Sequence, residues 1–176
     1  MSNELFNGGQ RDFLAEMVNI AMGKTASALA EALDAQVNLQ APVIRMASVD
    51  PFETTLRADL RQGGAPLRLV QQGFLGELAG YAGLISGAEP EPLSPALGSE
   101  LLMAFVRHFA QMLGMRCSLC PPQARGAGSE RQGDAGQTLL IEIRFLVEGR
   151  AQPCDLLVAL LPECLPALRR ALVCAA

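Results

Sequence analysis

The segment RDFLAEMVNIAMGKTASALAEAL, residues 11–33, constrains the fold more than any other part of the chain. Helical periodicity extends over residues 10–34, and apolar or small side chains cover most of the circumference that this helix would present. Such a helix has to be packed on several sides. Its expected core side consists of Phe13, Leu14, Met17, Val18, Ile20, Ala21, Met22, Ala28 and Leu29.

One line of polar and small side chains interrupts this apolar surface and consists of Asp12, Glu16, Asn19 and Gly23. At about 100° of rotation per residue, these positions fall within about 60° of one another, so they form a narrow stripe. The stripe continues through the small residues Ala26, Ser27 and Ala30. Small side chains at these positions leave room for another surface to approach the polar groups.

Glu16 and Asn19 can act by orienting a bound molecule and by offering a negative charge. A carboxamide does not titrate, but its oxygen accepts and its nitrogen donates hydrogen bonds, so Asn19 can hold a water molecule in one orientation. The carboxylate of Glu16 can pair with a cation on a docked molecule. An exposed strip of a helix has to be polar in any case, so the pair by itself does not identify a function. The pair suits hydrolysis of a phosphoryl group that a partner already activates.

The spacing of these residues matches a family signature. The sequence resembles the CheC/CheX/FliY family of chemotaxis phosphatases, whose signature is Asp or Ser, three residues, Glu, two residues, Asn, twenty-two residues and Pro. Asp12, Glu16, Asn19 and Pro42 stand at these spacings without an insertion. The run of small residues after Asn19 also matches. The resemblance is sharp over the first quarter of the chain and rests on the order of helices and strands afterwards.

The resemblance implies a protein phosphatase that hydrolyses the aspartyl-phosphate of a phosphorylated CheY-like response regulator. In this interpretation Asn19 orients the attacking water and Glu16 binds a lysine of the receiver, while Asp12, Gly23 and Ser27 lie at the partner contact. The Mg²⁺ ion and the phosphorylated Asp belong to the receiver, so this chain is expected to bind no metal or cofactor of its own.

The other two signature residues have expected structural roles. Pro42 is expected to shape the backbone at the start of a strand beneath the helix, because proline offers no donor and fixes the backbone. Asp12 is expected to cap or solvate the start of the helix, where a negative charge suits the helix dipole.

Other functions remain open. A non-catalytic interaction module of the chemotaxis or flagellar switch apparatus would bind a receiver or a CheD-like deamidase without turnover. A metal or redox protein would use Cys117 and Cys120, whose spacing suits both chemistries but lacks the other ligands of a tetrahedral site.

Ser94 followed by Pro95 is typical of a helix start, and a second helix is predicted at about residues 95–114. Its alignment with the first helix places Glu100 opposite Asp12, Ala104 opposite Glu16 and Arg107 opposite Asn19. Because Ala104 and Arg107 replace the acid and the carboxamide, the chain is expected to have a single active site. Arg107 is either a solvated residue or a docking contact.

The predicted fold class is α+β, and the resemblance implies a single CheC-like domain over residues 1–176. Two pseudo-related halves, at about 10–88 and 94–176, each contain a long helix followed by strands, and the helices pack on a largely antiparallel sheet. The alternation of LRADLR, residues 56–61, and a turn at 62–64 predict a meander in the middle of the chain. A flexible surface loop is predicted at about 121–136. After it, the alternation of Ile141, Ile143, Phe145 and Val147 with polar residues predicts a strand, and residues 162–173 predict a short closing helix.

Composition excludes several classes of partner. The net charge of −4 gives no basic surface for nucleic acid or anionic lipid, and no apolar run is long enough to span a bilayer. The odd number of cysteines, five, predicts reduced thiols in a cytoplasmic protein. An exposed edge strand could pair with a strand of a second copy of the chain, so a homodimer is an alternative to a monomer.

Overall fold

The computed structural model describes residues 6–47, 67–87, 93–121 and 137–174. Helix α1 spans Gly8–Leu33, which confirms the helix predicted over residues 10–34. It begins with a capping box. The Asn7 side chain accepts a hydrogen bond from the Gln10 backbone N–H at 2.8 Å, and the Gln10 side chain accepts one from the Asn7 N–H at 3.1 Å. The helix ends at Asp34, which has a left-handed φ of 49°.

Two further helices confirm the predictions for the second half. Helix α2 spans Pro95–Met112, and Ser94 caps it by accepting a hydrogen bond from the Leu97 N–H at 3.2 Å. Pro95 occupies the first turn, where a missing N–H costs nothing. A short 3₁₀ turn, Pro162–Cys164, leads into helix α3, Leu165–Cys174.

The strands form one antiparallel sheet of seven strands in the described residues. They are β1 (Val37–Leu39), β2 (Val43–Ala47), β3 (Leu67–Gly76), β4 (Gly80–Gly87), β5 (Cys117–Leu119), β6 (Thr138–Val147) and β7 (Cys154–Leu160). The spatial order is β1-β6-β7-β4-β3-β5, and β2 also pairs with β6. The predicted α+β class is confirmed.

The pairing of β2 differs from the predicted meander. Strands β3 and β4 do form a consecutive antiparallel pair, but β1 and β2 lie beside β6 of the other half. Alternating side chains specify which face of a strand is buried and leave its neighbour unspecified, so the sequence could not predict this crossover. The predicted strand at 56–61 and turn at 62–64 lie outside the described residues, as does the loop predicted at 121–136 beyond Pro121.

The two halves exchange their edge strands. The first half supplies β1 and β2 to the outer side of β6, and the second half supplies β5 to the outer side of β3. The hairpins β3–β4 and β6–β7 then meet at the centre of the sheet, where β4 pairs with β7. The strand order is therefore similar when it is read from either edge, and α1 and α2 occupy corresponding places in the two halves.

All three helices bury apolar side chains against one face of the sheet. The inward positions of β6 are Leu139, Ile141, Ile143, Phe145 and Val147, all of them buried. They belong to one apolar cluster with Leu14 of α1, Phe105 of α2 and Leu168 of α3. The predicted alternation of β6 is confirmed. No helix in the described part of the chain has both the length and the apolar character needed to cross a bilayer.

The opposite face of the sheet carries a smaller apolar cluster and two cross-strand ion pairs. Ile85, Leu140 and Leu157 are buried in this cluster. Arg144 pairs with Asp155 at 2.7 Å, and Arg45 pairs with Glu142. The candidate site on α1 therefore lies on the helical side of the sheet.

Candidate functional site

The polar stripe of α1 lies at the protein surface. The side chains of Asp12, Glu16 and Asn19 are exposed, and Ser27 is exposed two turns beyond Asn19. Within the described residues, no hydrogen bond or ion pair engages the side chains of Glu16 or Asn19. Both groups are therefore available to a molecule that docks on α1.

The buried side of α1 fixes this orientation. Leu14, Val18 and Leu29 are completely buried in the main core. Thr25, also completely buried, donates a hydrogen bond from its hydroxyl to the Ala21 carbonyl at 2.9 Å, which satisfies its polar group inside the core. Because these residues anchor the helix along its length, rotation of α1 would expose apolar surface, and the stripe is held outward.

Gly23 has no side chain, and the helix surface that it leaves uncovered beside Asn19 is called the open floor. A Cβ placed on Gly23 would meet no atom of the described residues within 4 Å, so these residues leave the surface there uncovered. Ser27 donates a hydrogen bond from its hydroxyl to the Gly23 carbonyl at 3.1 Å, which draws its side chain back along the helix. A partner can thus approach the backbone one turn beyond Asn19.

The exposed residues of α1 differ from the predicted ones in two ways. Some residues expected at the surface are buried or half-buried, and some residues expected in the core are exposed. Ala26, expected on the exposed line, is buried at 6% exposure, and Ala30 is half-buried. Ile20 and Ala28, expected in the core, are exposed. Apolar residues surround most of the helix, so the pattern alone did not show where packing ends. The exposure of Ile20 could have been predicted from its angular position, because Ile20 lies about 40° from Glu16 on a helical wheel.

Pro42 occupies a bulge at the edge of the sheet. Leu39 of β1 pairs with Phe145, and Val43 of β2 pairs with Glu142, so three residues oppose two on β6. Proline is tolerated at such a position because a bulge on an edge strand does not need its N–H. The half-buried Pro42 directly precedes β2, as the sequence predicted.

Of the two roles expected for Asp12, capping and solvating the start of α1, the structure excludes capping, and Asp12 is exposed to solvent. Asn7 and Gln10 form the cap, and α1 begins at Gly8. The helix starts earlier than the apolar periodicity suggested because the polar residues Asn7–Gln10 satisfy its first N–H groups. Asp12 lies on the exposed stripe one turn before Glu16, where its carboxylate adds negative charge to the surface.

Helix α2 presents different chemistry at the corresponding positions. Glu100 and Arg107 are exposed, whereas Ala104 is half-buried. His108, the only histidine of the chain, is half-buried, and its Nδ1 is buried without a hydrogen-bond partner in the described part of the chain. At the positions aligned with Glu16 and Asn19, helix α2 therefore has neither an acid nor a carboxamide.

Cys117 and Cys120 do not face a common site. Cys117 packs against the main core on the helical side of the sheet, and burial raises the pKa of its thiol. Cys120 lies on the other side, with its Sγ 3.5 Å from a Cβ placed on Gly73, and that position also adjoins Tyr81. No group of three His, Cys, Asp or Glu side chains suited to a metal occurs among the described residues.

The arrangement on α1 can orient a molecule but cannot by itself supply a nucleophile. Asn19 can donate and accept hydrogen bonds at once, and Glu16 offers a negative charge about one turn away. Neither group is held by a side chain among the residues that the structure describes. A reaction at this surface therefore needs an electrophile and its activating groups on a partner.

Comparisons with known proteins identify solved structures with a similar fold. Neither a protein-family model nor a curated protein sequence matches the chain. FliY from Thermotoga maritima superposes with a TM-score of 0.61 at 14% identity, covering 96% of this chain and 98% of that chain. The FliM middle domain from H. pylori gives 0.63 at 6% identity, covering 94% and 99%. A CheC-like superfamily protein from Shewanella sp. PV-4 gives 0.52 at 9% identity, covering 89% and 99%.

These superpositions span nearly the whole of each protein, and they agree with the fold class and with the order of helices and strands described above. Their sequence identities are too low to carry a function. The fold of this chain is therefore similar to the folds of FliY, the FliM middle domain and a CheC-like superfamily protein.

Proposed function

We propose that this protein is a phosphatase that hydrolyses the aspartyl-phosphate of a CheY-like receiver domain. The observation that carries the proposal is the exposed Asn19 side chain, which has no partner of its own in the described residues and lies one turn from an exposed Glu16. The signature formed by Asp12, Glu16, Asn19 and Pro42 and the CheC-like fold support it.

Asn19 contributes orientation to the reaction. Its carboxamide enters the receiver site and holds a water in line with the phosphorus atom. The water oxygen forms a bond to phosphorus as the bond to the aspartyl oxygen breaks, the aspartate leaves as a carboxylate, and the proton of the water goes to the phosphate product or to solvent. The receiver supplies Mg²⁺, which offsets the charge on the phosphoryl oxygens.

Glu16 contributes docking. Its carboxylate pairs with a lysine of the receiver, and this contact fixes the register of α1 against the phosphorylated site. The open floor at Gly23 lets the receiver backbone approach without a clash. Catalysis in this scheme is mainly placement, which accounts for a site without a nucleophile.

The test is phosphate release from phosphorylated receivers of the same cell in the presence of Mg²⁺. Wild-type protein is expected to accelerate release, and Asn19→Ala is expected to lower kcat by about 100-fold or more, the scale seen when a preorganised polar group is removed from an active site. Asn38→Ala, which removes an exposed carboxamide from strand β1, is the matched control. Equal rates for Asn19→Ala and wild type would contradict the mechanism.

A non-catalytic role is the competing outcome of the same experiment. FliM, a structural neighbour at 6% identity, was solved in a complex with FliG. Binding of a receiver or of a CheD-like deamidase without any acceleration of phosphate release would favour an interaction module. The exposed pair on α1 favours the phosphatase.

A further inference from the structure

Ile20 stands out on the surface of α1. Its exposed fraction is 39%, and it is the one large aliphatic side chain exposed on this helix, all of whose residues are described. The other large apolar side chains of the helix are buried or half-buried. Exposure of a single aliphatic residue is common, so the position of Ile20 relative to the candidate site has to decide whether it matters.

Ile20 borders the candidate site directly. It follows Asn19 in the chain, and helical geometry places it about 40° from Glu16 and about 60° from Gly23. Lys24, also exposed, lies one turn beyond it. A receiver that covers Glu16 and Asn19 would therefore also cover Ile20.

The side of α1 that carries Ile20 also carries partly buried apolar residues. Phe13 and Met17 lie two turns and one turn earlier on this side, and both pack against the main core. Helical spacing therefore places Ile20 at the exposed end of a line of apolar side chains.

Polar contacts at this surface supply specificity more than affinity. An exposed ion pair such as that of Glu16 with a lysine contributes little to binding, because water competes for both charges. Interfaces gain most of their affinity from a few desolvated apolar or aromatic anchors near the centre. Ile20 is the exposed side chain of α1 that can provide such an anchor within one turn of Asn19.

We propose that Ile20 is a docking residue that packs against an apolar patch of the phosphorylated receiver and adds affinity to the contact that Glu16 and Asn19 make. This inference rests on the proposed function. It makes affinity for the receiver depend on Ile20 and the chemical step depend on Asn19.

The test is steady-state hydrolysis of the phosphorylated receiver by wild type, Ile20→Ala, Ile20→Leu and Val43→Ala. Val43 is a matched control, because it is 52% exposed and lies on strand β2 with its side chain on the opposite face of the sheet. Ile20→Ala is expected to raise KM by about tenfold and to leave kcat within about twofold. Ile20→Leu is expected to restore KM, and Val43→Ala to match wild type.

The outcomes separate this inference from the proposed function. If wild type hydrolyses the phosphorylated receiver but Ile20→Ala has an unchanged KM, or loses only kcat, Ile20 is not an anchor and the phosphatase proposal stands. If wild type does not accelerate hydrolysis, both proposals fail. Alanine is a better helix former than isoleucine, so Ile20→Ala should fold, and thermal unfolding of each variant checks this.

Discussion

Helices α1 and α2 hold corresponding places in the two halves of the fold, yet their exposed faces carry different groups. The stripe of α1 contains Asp12, Glu16, Asn19 and Gly23, and the aligned positions of α2 are Glu100, Ala104, Arg107 and Gln111. Apart from Gly23 and Ala104, which are half-buried, the side chains of both sets are exposed. The fold therefore keeps the same face of each helix open to solvent.

The difference between the helices lies in chemistry and shape. Helix α1 combines a carboxylate, a carboxamide and an open floor at Gly23, whereas α2 places an arginine where α1 has Asn19 and a glutamine where α1 has glycine. An exposed helix face is thus a property of the architecture, and a candidate site arises only where the residues at that face suit a partner. Exchanging single residues between the helices tests this view.

The largest effect is expected from the exchange of Asn19 with its counterpart. Asn19→Arg should lower phosphate release by about 100-fold or more, because a guanidinium cannot accept a hydrogen bond from the attacking water. Arg107→Asn, the reverse change on α2, should leave the rate within about twofold. The measurement is phosphate release from the phosphorylated receiver. A large loss in Arg107→Asn would instead make α2 part of the docking surface.

Exchange of the acid is expected to weaken docking. Glu16→Ala copies Ala104 onto α1 and should raise KM for the receiver by up to about fivefold, because an exposed charge facing a lysine is lost. The loss should shrink at high salt, since screening already weakens the pair in wild type. Ala104→Glu should leave KM unchanged. KM measured across a salt series checks both variants, and a salt-independent defect would argue against an ionic contact.

Exchange of the glycine is expected to separate stability from activity. Gly23→Gln should increase the free energy of unfolding by about 0.5–1 kcal/mol, because glycine is a poor helix former. A Cβ at this position meets no atom of the described residues, but the longer side chain covers the floor beside Asn19, so hydrolysis should fall several-fold. Gln111→Gly should lower stability and leave hydrolysis unchanged. Chemical denaturation and phosphate release, measured together, test the pair of variants.

The smallest effect on function is expected from the cysteines, all of which belong to the second half. Burial raises the pKa of Cys154 to about 11. At about pH 8 only about 0.1% of this thiol would be ionised, so iodoacetamide should modify Cys120 well before Cys154. Labelling of Cys120 should not alter hydrolysis, because it lies away from α1. Mass spectrometry of labelled protein, followed by the phosphate assay, checks both statements.

Local signals predicted most of the elements correctly. Ser94 and Pro95 marked the start of α2, and the alternation of Ile141, Ile143 and Phe145 marked the buried face of β6. The stripe of Asp12, Glu16 and Asn19 followed from helical spacing alone, and the structure places it at the surface. Each of these signals depends on residues within a few turns or along one strand, where sequence spacing and spatial spacing are directly related.

The errors arose where contacts between distant segments decide the outcome. The sequence predicted a meander, but β2 pairs with β6 across about a hundred residues, as in the pair of Ile44 with Ile141. It placed Ile20 in the core, although the helices and the sheet leave that side of α1 open. Asp12 was expected to cap or to solvate the start of α1, and the structure gives the cap to Asn7 and Gln10, which carry no apolar periodicity.

The sequence by itself determined the helices, the strand faces and the residues of the stripe, because capping, periodicity and alternation are local properties of the chain. The tertiary structure decided which strands are neighbours and how far around α1 the packing extends. Both depend on which distant segments of the chain pack against one another to bury their apolar side chains. Local sequence patterns do not specify those contacts. The exposure of Ile20 beside Asn19 is the consequence that matters most for function.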